Sequence, residues 1–123
     1  MKKIKEYEII SGSREQKKYP LLRLEVADNF WSRFCGLMLR KPEGLADGLL
    51  LRPCNSVHMM FMRFSLDLVY LDESLRVIRI VPGLMPWLGV SWCRGAACVV
   101  ELKAGTAAAL GLEQGDRLSH CPR

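Results

Sequence analysis

The stretch Leu66 to Val81, LDLVYLDESLRVIRIV, decides the fold. Two runs rich in Leu, Val, Ile and Tyr flank the polar link Asp72-Glu73-Ser74, and apolar runs divided by so short a turn form an antiparallel hairpin. Within the first run Asp67 shares a strand face with Val69 and Leu71, because alternate residues of a strand point the same way. An acid on an apolar face needs hydrogen-bonding partners once it is buried.

Outward from this hairpin the chain remains strand-like. Gly48 to Leu51, Ser56 to Met62, Ala97 to Leu102 and Asp116 to His120 are short apolar or alternating runs between turn residues. Leu21 to Val26 alternates, with Leu22, Leu24 and Val26 on one face and Arg23 and Glu25 on the other. One segment has helical spacing: Phe30, Trp31, Phe34, Cys35, Leu37 and Met38 recur every three or four residues after Asp28, a good N-cap. This predicts a helix over about Asn29 to Leu39, ended before Pro42. Ala104 to Leu110 has room for one or two helical turns. Gly83 to Gly95, with Pro86, Trp87 and Trp92, reads as a long loop suited to a lid or a binding surface. The expected fold is α+β and mostly β: a small β-barrel-like domain of short, largely antiparallel strands with one amphipathic helix packed against it. Residues 1–20 read as a polar N-terminal arm or edge strand, and residues 21–120 as a single globular domain.

Size and charge narrow the function classes. A chain of 123 residues is ordinary for one domain. The formal net charge is +5, but residues 1–20 hold six basic and three acidic residues, leaving twelve basic and ten acidic residues beyond them. The globular body is therefore near neutral, which argues against a nucleic-acid footprint. Lys2, Lys3, Lys5, Glu6 and Glu8 interrupt any signal-peptide core, and Pro82 and Pro86 break an uncharged stretch already too short to span a bilayer. The expected compartment is the cytoplasm, where Cys35, Cys54, Cys93, Cys98 and Cys121 stay reduced.

Chemistry concentrates between Arg52 and Asp72. Cys54 and His58 have the spacing of half a zinc site, but four strand residues cover roughly 13 Å, so no metal or other cofactor is expected. A hydrolase-like enzyme would use His58 as base with Cys54 or Ser56 as nucleophile, oriented by Asp67 or Glu101. Alternatively, His58 is a core histidine bonded to Asp67 or to a backbone carbonyl, and Asp67 and Glu101 sit in structural ion pairs with Arg63, Arg79 or Arg94.

Several short motifs resemble the domain-of-unknown-function 192 family, in order and at matching spacing from Leu21 to Leu118. They are Arg33-Phe34-Cys35-Gly36-Leu37-Met38-Leu39-Arg40, Leu51-Arg52-Pro53-Cys54, His58 with Phe61-Met62, Leu66-Asp67, Leu71-Asp72, Pro86-Trp87, Val100-Glu101-Leu102 with Ala104-Gly105, and Gly111 to Asp116. The resemblance implies a compact, mostly β protein of bacterial or archaeal type and no defined reaction. Ser65, Glu73-Ser74 and Leu88 depart from the family pattern, the last weakening an anion-binding role for that loop. The resulting expectation is a module binding a small molecule or a protein partner, with His58, Met62, Asp67, Trp87 and Glu101 as ligand-binding residues.

Overall fold

The computed structural model describes residues 4–13, 16–27, 47–58, 64–85 and 89–121. Among the described residues, nine strands and one short helix follow in the order β1 (Ile4–Ile10), β2 (Lys17–Ala27), β3 (Gly48–Leu51), β4 (Ser56–His58), β5 (Leu66–Leu71), β6 (Val77–Leu84), β7 (Val90–Trp92), β8 (Cys98–Lys103), α1 (Thr106–Ala109) and β9 (Arg117–His120). Seven of the strands form one sheet in the order β6-β5-β8-β3-β2-β1-β9, while β4 and β7 form a separate two-stranded sheet. The pair β2–β3 is parallel and every other pairing is antiparallel.

The hairpin read from the sequence is present: β5 pairs antiparallel with β6 from Leu66↔Leu84 to Leu71↔Val77. Its turn is held by Asp72, whose Oδ1 accepts the backbone N–H groups of Ser74 at 2.8 Å and Arg76 at 3.0 Å, an arrangement typical of aspartate in turns. Strand β5 is buried along its whole length because β6 and β8 flank it and both of its faces are covered.

Those two faces form two apolar layers. Leu22, Leu24, Leu50, Val69, Leu71, Val100 and Leu102 lie on one, with Ala107, Leu112 and Leu118 packed over them. Ala27, Leu49, Leu51, Leu66, Leu68, Tyr70 and Val99 lie on the other, joined by Val57 of β4. The period-two alternation along each strand produces this division.

The barrel expectation needs correction. The sheet curls until its edge strands meet at the isolated bridge Arg76↔Arg117, supported by Val77 N to Asp116 O at 2.7 Å and Gly115 N to Val77 O at 2.8 Å. Among the described residues no continuous ladder joins the two edges, so the mixed sheet remains open. With four residues, β9 is too short to run along the eight of β6. The segment Gly83 to Gly95, read as loop, contributes the end of β6 and all of β7. Strand β1 lies between β2 and β9, with Tyr7 and Ile9 buried. The helix expected over Asn29 to Leu39 lies outside the described residues.

Candidate functional site

Asp67 lies at the start of β5, is 2% exposed, and faces the layer that contains Val69 and Leu71. Its carboxylate is an acceptor hub for backbone. Oδ1 accepts the N–H of Gly83 at 2.9 Å, and Oδ2 accepts those of Gly105 at 2.9 Å and Ala107 at 3.0 Å. One side chain thus ties β5 to the end of β6 and to the first turn of α1. The local sequence explains the arrangement. Gly105, at the N-cap of α1, takes φ 93° and offers no side-chain cap, so the first amides of the helix need an acceptor from elsewhere. The ion pairing considered for Asp67 is replaced by these amides, and Arg79 instead donates to the Trp92 carbonyl at 3.1 Å.

Above Asp67 opens a cleft of about 420 Å³, walled by Ile80, Pro82, Gly83, Gly105, Ala107, Ala108 and Leu112. Its walls are chiefly apolar side chains and bare glycine backbone. Pockets for small molecules have this size and this mixture of apolar wall and few polar groups.

Those of the other predicted residues that the structure describes fall elsewhere. His58 ends β4, where its backbone pairs with Val90 of β7. That small sheet packs through Val57 on the layer opposite the Asp67 carboxylate, so the two faces of β5 separate the acid from the strand that carries His58. Glu101 is 5% exposed and lies between Leu49 and Leu68 in register, on the same side as β4 and β7. Glu101 also has polar interactions of its own. Met62 and Trp87 lie outside the described residues. Cys54 is half-buried and its thiol donates to the Ser56 carbonyl at 3.0 Å, while Ser56 is exposed and pairs with Trp92. Among the described residues no group of three or more His, Cys, Asp and Glu is placed to hold a metal ion.

Sequence reasoning missed two features of this region. One is the Tyr70 hydroxyl, which donates to Ser91 Oγ at 2.8 Å and fastens β7 to the large sheet. Burial pushes the Tyr70 phenol above its ordinary value, and the hydrogen bond with Ser91 offsets part of that rise. The other is the pair of glycines, Gly83 and Gly105, that bring backbone to Asp67. Both have positive φ; a glycine next to each predicted element end was the available signal.

Residues 12–120 match the model of the DUF192 family, described as an uncharacterized ACR. A UPF0127 protein of Pyrococcus furiosus is 40% identical over 79% of this chain and 87% of its own length. A UPF0127 protein of Thermococcus sibiricus is 34% identical over 78% of this chain and 64% of its own. Among solved structures, a Sinorhizobium meliloti protein described as a candidate transcription regulator superimposes with TM-score 0.82. It is 25% identical, covering 97% of this chain and 95% of that one. A protein of unknown function from Novosphingobium aromaticivorans shares the fold with TM-score 0.79 at 24% identity, covering 94% and 84%.

Proposed function

The chain belongs to the DUF192 family of uncharacterised proteins, and from that premise we propose that it is a small-ligand binding module whose site is the Asp67 cleft. The observation that carries this reading is the combination of an apolar cleft of about 420 Å³ with a buried carboxylate at its floor. A carboxylate offers about four acceptor positions, and the three backbone amides occupy two on Oδ2 and one on Oδ1. The remaining position on Oδ1 suits one donor from a ligand, an amine or a hydroxyl, whose apolar body lies against Ile80, Pro82 and Leu112. Of the residues read from the sequence as ligand-binding, Asp67 lines this cleft, and Glu101 belongs to the opposite layer with β4 and β7.

The hydrolase-like alternative draws no support from the Cys54 thiol's bond to the Ser56 carbonyl, a group that cannot serve as a base. The near-neutral charge of residues 21–123 favours a small ligand over a nucleic-acid backbone.

Titration of the labelled protein with hexylamine and 1-hexanol tests the proposal. The amides of Gly83 and Gly105 should shift on addition, and Ala108→Phe, at an exposed wall position, should abolish the shifts while leaving the fold intact. Shifts confined to Val90–Cys93, or the absence of any saturable shift, would overturn it.

A further inference from the structure

Cys54 and Cys93 enter the β4–β7 sheet from its two strands. Cys54 precedes β4 and Cys93 follows β7, and the N–H of Cys93 bonds to the Asn55 carbonyl at 2.8 Å, extending the pairing of the two strands by one residue. The turn after β7 closes the same corner, through Ala96 N to Cys93 O at 3.2 Å and Cys54 N to Ala97 O at 3.0 Å. Both side chains are half-buried and pack on the layer that contains Tyr70. Both also lie near enough to the Tyr70 phenol to bear on its ionisation.

Cys98 is a contrasting thiol. It is 1% exposed and faces the opposite layer, where burial pushes its thiol up against the pull of the Arg52 charge. A thiol that is buried and hard to ionise is a poor nucleophile.

We propose that Cys54 and Cys93 form a redox-responsive dithiol, closed to a disulfide by exchange with a small-molecule disulfide. Cys54 Sγ donates to Ser56 O at 3.0 Å, whereas Cys93 Sγ reaches Arg94 O only at 3.8 Å, so Cys93 is the freer of the two to reorient and attack. Its thiolate displaces one small thiolate from the small disulfide and forms a mixed disulfide. The Cys54 thiolate then attacks the Cys93 sulfur and expels the second. Two protein thiols and one small disulfide become one protein disulfide and two small thiols, and the protons pass to the departing thiolates. The new bond ties β4 to β7 at one corner of a sheet of three residue pairs, which Val57, the Tyr70–Ser91 bond and the Arg79–Trp92 bond hold against the large sheet. Its consequence is a small sheet whose two strands part less readily.

The test is treatment of the native full chain with oxidised glutathione, followed by thiol counting in denaturant and peptide mapping. The chain has five cysteines, so the count should fall from five to three and the mapping should return a Cys54–Cys93 cross-link. Amide exchange at Val90–Trp92 should slow at the same time, and C93S should prevent both changes. The wild-type mapping does not depend on any variant folding. Retention of five thiols, stable glutathione adducts without a cross-link, or a cross-link that uses Cys35, Cys98 or Cys121 would overturn the proposal.

Discussion

Asp67 shows how far one residue can organise this protein. Its carboxylate accepts three backbone amides from two other elements while nearly inaccessible, and charge-assisted bonds of this kind are stronger than neutral ones. Asp67→Asn replaces one acceptor oxygen with a donor that faces an N–H, so at least one bond is lost. Urea denaturation should show a loss of about 1.5–3 kcal/mol; an unchanged midpoint would mean that the amides find other acceptors. Three further buried groups set the alkaline limit. Burial raises Tyr7, Tyr70 and Cys98 above their ordinary values of 10.0, 10.0 and 9.0. Each is harder to ionise folded than unfolded. Its contribution is therefore complete below the ordinary value and is lost as pH rises through the raised one. Denaturation midpoints measured from pH 8 upward should hold until about pH 9 and then fall, with a shallower fall in Tyr70→Phe.

At the scale of elements, the hairpin β5–β6 was legible because its pattern is local: two apolar runs and a turn that begins with Asp72. Asp72→Ala removes the acceptor for the Ser74 and Arg76 amides and should cost about 1–2 kcal/mol, measurable by thermal unfolding. The pairing of β3 with β8 imposes a different demand. A side chain at Gly48 would meet the Glu101 carbonyl and the Leu102 side chain, and since a strand backbone cannot easily yield, Gly48→Ala should destabilise by about 1–3 kcal/mol. An equally stable variant would show that β3 and β8 can part by the width of a methyl. The extension of β6 to Leu84 and the strand β7 were not legible, because Pro82, Gly83 and Gly89 gave that region a loop's composition. There Gly83 donates its amide to the Asp67 side chain of the neighbouring strand.

For the whole molecule, β9 matters beyond its four residues. It covers one edge of β1 through four residue pairs and meets the residue just before β6 through the Arg76↔Arg117 bridge, with Leu118 buried. Ending the chain after Asp116 should expose the β1 edge and the apolar layer beneath, giving loss of cooperative unfolding and concentration-dependent association. Gel filtration with thermal denaturation would check this. A monomeric, cooperatively folded product would show that the remaining six strands of the large sheet suffice. The two apolar layers also decide which functional residues can meet, since a sheet one residue thick keeps Asp67 with α1 and leaves Glu101 with β4 and β7.

By itself the sequence determined the mostly β class, the largely antiparallel pairing, the central hairpin and the family, because alternation, turn chemistry and motif order are properties of neighbouring residues. It also marked Asp67 and Glu101 as buried acids. Only the tertiary structure decided their partners and their separation. The backbone groups that satisfy Asp67 come from residues 16, 38 and 40 positions away, and no local pattern encodes contacts that exist only after the sheet has curled.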